Sequence, residues 1–311
     1  MNWPLNESMQ KTQEQAGKKP FKTLLFTVVM FIVNLLISML FAIFLLGPII
    51  YSKVSESNYS PEQVSEMIIN HPFVSYINLY VTILTIIVTI LLAKWFQGRK
   101  LNSFGFYKEA LFKKYSLGIL IATGLMVVIY LANLMMGSIV TQLNPQASWI
   151  AFIILLIGFM IQGMSEEILL RGYVMNGLAT AWGVPAAILL NSIIFSFMHY
   201  SNPGITNLAL VNIALAGIFF SLLFYITDNM WLTGAAHSFW NFMMGVVFGV
   251  QVSGLNLPGT LFITQAKPNA TLINGGDFGF EGGIVVTIIL IIASIYLVYL
   301  VSKRPKNLTT V

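Results

Sequence analysis

The sequence predicts an all-α protein, a polytopic bundle of about eight transmembrane helices with both termini on the cytoplasmic side. Three observations predict it. Of the 311 residues, 57% are hydrophobic and only 9% charged, whereas a soluble domain carries roughly a quarter charged residues. Mean hydropathy is +0.81. The apolar residues are also gathered into runs of about 20, the length a self-satisfied helix needs to cross hydrocarbon about 30 Å thick. The chain has no cysteine, which excludes a disulfide framework, a thiolate nucleophile and Cys-ligated metal. The net charge of +5 lies beside apolar runs, so the implied partner of the basic residues is membrane lipid and not nucleic acid.

In chain order, residues 1–23 form a polar cytoplasmic leader. The eight runs cover residues 24–50, 73–93, 115–139, 149–178, 184–200, 206–226, 231–250 and 284–301. The first is too long for the apolar part of a removable signal and reads as an anchor. Residues 24–148 hold three spans with their loops, 149–250 a core of four spans, 251–283 an external loop, and 284–311 the last span with a basic tail. Within that external loop the glycine-rich stretch 275–283 reads as exposed. Orientation follows from Lys and Arg, which resist translocation. Thirteen of the 16 basic residues fall on one side: Lys11, Lys18, Lys19 and Lys22 before span one, Lys94, Arg99, Lys100, Lys108, Lys113 and Lys114 after span two, and Lys303, Arg304 and Lys306 after span eight. The opposite loop holds Lys53 against Glu56, Glu62 and Glu66. Trp95, Trp149, Trp182 and Trp231 all sit at span ends, the level that amphipathic rings prefer.

Very few ionisable residues remain inside spans: Glu166, Glu167, Arg171, His199 and His237. Charges at membrane depth cost several kcal/mol each, so they mark a functional site when partners can be named. Glu166 and Glu167 are helix neighbours and point about 100° apart. Arg171 lies four residues after Glu167, the favourable order for an ion pair. That pairing leaves Glu166 without a local partner and free for chemistry. Glu166 and His199 are equidistant from the turn at Trp182 and Gly183, so an antiparallel hairpin brings them to one level. His237 and Asn241 share a helix face, and the small residues Gly234, Ala235 and Ala236 admit a close neighbour helix. Phe195 is expected to stack beneath His199. Span four, if helical to Trp182, exceeds the membrane thickness, and is expected to tilt or to break near Gly163, Gly172 or Gly177. His71, beside Pro72 in the outer loop, reads as incidental.

Three segments, Glu166-Glu167-x-x-x-Arg171, Phe195-x-x-x-His199 and His237-x-x-x-Asn241, resemble in order the signature motifs of the CPBP intramembrane proteases, the CAAX-processing and bacteriocin-processing enzymes also called the Abi family. The resemblance covers residues 149–250 and every signature position is filled. It implies an integral-membrane endopeptidase acting on a peptide or a lipid-modified protein, with Glu166, His199, His237 and Asn241 catalytic and Glu167, Arg171 and Phe195 supporting. It also implies a setting in the bacterial plasma membrane and a role in bacteriocin processing or self-immunity.

Peptide hydrolysis needs an activated water and donors for the developing oxyanion. Glu166 with His199 supplies the base, while His237 and Asn241 are donors on the facing span. No cofactor is required in this reading. The alternative uses Glu166, His199 and His237 as three zinc ligands with water in the fourth position; against it, the chain lacks an H-E-x-x-H helix and Asn241 suits an oxyanion better than zinc. A different class, a transporter or a non-catalytic immunity protein, would also hold a polar cluster inside a bundle. Paired broken helices or pseudo-repeated halves would favour the transporter, and neither is evident.

Overall fold

The computed structural model describes residues 3–56, 60, 63 and 72–303. His71, Glu62, Glu66, Arg304 and Lys306 lie outside the described residues. The chain is a predominantly helical, all-α-class polytopic bundle with one small strand pair. Its helices are α1 (Glu7–Ala16), α2 (Pro20–Glu56), α3 (Pro72–Gln97), α4 (Leu111–Met135), α5 (Trp149–Glu167), α6 (Asn176–Trp182), α7 (Val184–Met198), α8 (Asn207–Thr227), α9 (Met230–Phe242) and α10 (Ile284–Ser302). The core helices start where a short polar side chain accepts an orphaned first-turn amide. Ser148 accepts from Ala151, Thr206 from Ala209 and Asn229 from Leu232.

Among the described residues six helical runs are long and apolar enough to cross a membrane: Pro20–Ile37, Tyr76–Gln97, Leu111–Met135, Trp149–Trp182, Asn207–Thr227 and Ile284–Ser302. They coincide with the expected spans one to four, six and eight. The remaining two expected spans form helices, but short ones. α7 has 15 residues, about 22 Å at 1.5 Å per residue, and ends before His199, where the chain turns. α9 has 13 residues and continues through a π-helical turn, Met243–Val247. It is buried almost throughout. A helix enclosed by longer helices has no need to match the bilayer thickness itself.

The long fourth span does not break. A π-helical stretch, Ile168–Met175, joins α5 to α6 into one run. The glycine at 163 marks a close crossing and not a hinge, since a Cβ there would lie 2.5 Å from the Ser238 amide nitrogen of α9. The small-residue patch at 234–236 is likewise a crossing point, where Gly118 of α4 lies against Leu232 and Ala235. Such contacts let backbones approach closely where lipid supplies no hydrophobic driving force between helices.

Two departures from the sequence expectation bear on the site. The stretch 275–283 is not an exposed loop: Phe278, Phe280 and Glu281 are buried. Its glycines permit backbone-on-backbone packing, since a Cβ on Gly275 would strike the carbonyl of Gly279. The surrounding segment also contributes a strand, β2 (Phe262–Ala266), antiparallel to β1 (Ile139–Leu143), with Ile139 opposite Ala266 and Leu143 opposite Phe262. At the other end, residues 7–16 of the polar leader form a helix docked on the bundle. Ser8 donates from its amide and its hydroxyl to the Asp228 carboxylate at 3.0 and 2.5 Å. Arg99, expected as a basic flank, is buried there and donates to the carbonyls of Gly172 and Tyr173 in the π-helical stretch at 2.6 and 3.3 Å.

Candidate active site

The site is built where α5 passes into the π-helical stretch. Glu167 and Arg171 are fully buried, and the ion pair expected from their spacing forms at 2.7 Å between Glu167 Oε1 and Arg171 Nη1. The same Oε1 lies 2.8 Å from Nδ1 of His237 on α9. Arg171 also donates from Nη2 to the Gly217 carbonyl of α8 at 3.0 Å. Its guanidinium faces the rings of Phe195 and Phe220 at 5.0 and 5.6 Å. A buried charge persists only when paired and hydrogen-bonded. Arg171 and Glu167 meet that condition by joining α5, α7, α8 and α9 around one ion pair.

Glu166 has a partner that the sequence reading did not name. Gln162, one helical turn earlier on the same face, donates Nε2 to Glu166 Oε1 at 2.7 Å. Gln162 Oε1 in turn accepts from Asn241 Nδ2 at 2.9 Å, so α5 and α9 are linked through a carboxylate and two amides. The other oxygen, Glu166 Oε2, is buried, makes no hydrogen bond and lies 3.5 Å from Nε2 of His237. His237 therefore stands between both carboxylates, with one nitrogen toward each. With Nδ1–H donated to Glu167, Nε2 is the nitrogen that faces Glu166; this tautomer is assigned from the hydrogen bonds.

His199 lies just past α7, its Nδ1 2.9 Å from the Phe195 carbonyl. Phe195 meets the imidazole edge-on, at 4.8 Å and 81°, and not in the expected stack. The ring stacked on a histidine is Phe220, which lies parallel to His237 at 4.7 Å and 12°. No hydrogen bond joins Glu166 to His199. Counting outward from the turn assumes equal rise on both arms, and the π-helical stretch of one arm breaks that symmetry. The two side chains instead line a common cavity of about 830 Å³, together with Gln162, His237 and Asn241.

Beyond the motifs and Gln162, that cavity is lined by the polar residues Asn78, Asn202, Ser253, Asn256 and Glu281. Gln162 was detectable as a polar residue one turn before Glu166. Glu281 carried no signal, because a carboxylate in a glycine-rich segment between spans reads as solvated. Among the described residues no three His, Asp or Glu side chains gather closely enough to hold a metal ion. The Nδ1 contacts of His237 with Glu167 and of His199 with a backbone carbonyl would also suit metal-binding imidazoles, so the misfit lies in the spacing: as they stand, Glu166, His199 and His237 are not gathered closely enough for three-ligand zinc coordination.

Residues 147–243 match a family model described as type II CAAX prenyl endopeptidase Rce1-like. The match runs from the turn before α5 to the end of α9 and takes in Gln162, Glu166, Glu167, Arg171, Phe195, His199, His237 and Asn241. No curated protein and no solved structure matches the chain. Six apolar helices among the described residues and this match make the chain a multi-pass membrane protein. Over residues 147–243 the chain is similar to the type II CAAX prenyl endopeptidase Rce1-like family, the family its three motifs resemble.

Proposed function

We propose that the protein is an intramembrane endopeptidase that hydrolyses a peptide bond with a water activated by Glu166, without a metal. The observation that carries this reading is the asymmetry of the Glu166 carboxylate. One oxygen is tethered by Gln162 while the other is buried, hydrogen-bonded to nothing and 3.5 Å from an imidazole nitrogen, in a residue that lines the cavity. A tethered carboxylate with one free oxygen suits a general base, which must meet a water at hydrogen-bond reach in fixed orientation.

In the proposed reaction Glu166 Oε2 takes a proton from water as its oxygen bonds to the substrate carbonyl carbon. The negative charge that develops on the carbonyl oxygen is met by donors on α9, His237 from Nε2–H when doubly protonated and Asn241 from its amide. Such donors contribute about 10²–10³ each in rate elsewhere. Collapse of the tetrahedral intermediate breaks the C–N bond, and the proton held by Glu166 passes to the leaving amine. Glu167, clamped by Arg171, fixes the tautomer and orientation of His237. His199, with Nδ1 committed to the Phe195 carbonyl, offers Nε2 to the water or the leaving group from the cavity wall. The substrate is a peptide or lipid-modified protein in a bacterial plasma membrane, and both bacteriocin processing and self-immunity would depend on the same carboxylate.

The test is incubation of the purified protein in lipid nanodiscs with prenylated and unprenylated peptides, with products identified by mass spectrometry. Cleavage at one defined internal bond supports the reading. An intact peptide set, under conditions where the protein sequesters or transports the same peptides, overturns it.

A further inference from the structure

The cavity that holds Glu166 holds a second carboxylate and no lysine or arginine. Glu281 sits in the helical turn Phe280–Gly282 just before α10, 8% exposed. Its backbone is pinned by Asn212 of α8, which donates Nδ2 to the carbonyls of Glu281 and Gly283 at 2.8 and 2.9 Å. Its carboxylate is held by neutral donors alone. Trp240 Nε1–H reaches Oε1 at 3.1 Å and the Ser253 hydroxyl reaches Oε2 at 2.7 Å. None of the ion pairs among the described residues involves it.

A buried carboxylate without a cation is costly unless something compensates it. Two neutral donors orient Glu281 but leave acceptor capacity on both oxygens. The donors come from two elements, Trp240 from α9 and Ser253 from the segment after it, so the carboxylate is held in place and not free to swing out. The cavity is also lined by Val252, Leu255 and Phe220. An apolar surface ending in a fixed, uncompensated carboxylate matches a side chain with an apolar stem and a cationic head.

We propose that Glu281 is a specificity-determining residue that receives a lysine or arginine side chain of the peptide. The cleavage part of this inference rests on the endopeptidase reading; the binding part does not. The experiment compares matched fluorescent peptides carrying Lys, Gln or Glu at each position, with wild-type protein and Glu281→Gln in nanodiscs. Binding is read by anisotropy and cleavage by mass spectrometry. At one position Lys is expected to exceed Gln by at least about tenfold in affinity or kcat/KM, the scale of a hydrogen bond to a charged partner, with Glu weakest. In Glu281→Gln that ratio is expected to fall toward one; a purely structural Glu281 would lower all rates and leave the ratio intact. Lys-selective, Glu281-dependent binding without cleavage would sustain the inference and overturn the endopeptidase reading. Cleavage without Lys preference in the wild type, whatever the variant does, would overturn the inference and leave the endopeptidase reading standing. Equal binding of all three peptides overturns the inference as well.

Discussion

Oε1 of Glu167 is shared by two cationic or potentially cationic partners, Nη1 of Arg171 at 2.7 Å and Nδ1 of His237 at 2.8 Å. The second carboxylate of the pair, Glu166, stands 3.5 Å from the opposite nitrogen of the same imidazole. One histidine thus separates a fully buried carboxylate, ion-paired to Arg171 through Oε1, from one that lines the cavity and has no arginine partner; in each, Oε2 makes no hydrogen bond. The division of labour in the proposed chemistry follows from that placement.

For His237 the account predicts a graded response. His237→Gln keeps an amide that can donate toward the cavity, so it should retain more activity than His237→Ala. Prolonged chelation should leave turnover unchanged, and elemental analysis of active protein should find far less zinc than protein. A zinc mechanism reverses each result, because an amide replaces a ligating imidazole poorly and stripping the ion removes the nucleophile. Activity lost on chelation and restored by zinc would remove the metal-free reading.

Gln162 is predicted to be a positioning residue. Its side chain connects Asn241 to Glu166, and misplacement of a base by about 1 Å can cost on the order of 10²-fold in rate. Gln162→Leu, close to it in volume, should therefore lower kcat by about 10- to 100-fold with little change in KM or in thermal unfolding. A loss confined to stability would show that Gln162 only packs.

The first three charged groups of the motifs were legible because apolar surroundings make any charge conspicuous, and i,i+4 spacing then named the Glu167 partner. The level of His199 was half legible. Symmetric counting from the turn brought it to the right cavity, but the π-helical stretch Ile168–Met175, invisible in composition, set it apart from Glu166. Arg99 and Glu281 were misread for one reason. Both lie just outside apolar runs, where sequence hydropathy implies water, while the fold covers Arg99 with α1 and holds Glu281 against α8, α9 and Ser253. The short helices α7 and α9 were read as full spans because hydropathy reports apolarity and not what supplies it, lipid or protein.

Orientation is testable with unusual clarity, since the chain has no native cysteine. Leu272 and Phe112 are both exposed, at 66% and 85%, and lie on opposite sides by the distribution of Lys and Arg. In intact cells a membrane-impermeant maleimide should label Leu272→Cys and leave Phe112→Cys unlabelled until the membrane is opened. The reverse pattern would invert the predicted topology and place the Val252–Pro258 side of the cavity in the cytoplasm.

The central claim is that Glu166 does the chemistry while Glu167 holds the architecture, and the most direct measurement compares Glu166→Gln and Glu167→Gln, purified in parallel, for turnover and thermal unfolding. Glu166→Gln should lose at least about 10²-fold in turnover with unfolding close to wild type. Glu167→Gln should be destabilised by about 3–5 kcal/mol, because it strands Arg171 unpaired in the bundle. Wild-type turnover in a folded Glu166→Gln protein, or equal loss of turnover in both variants at normal stability, would contradict the account.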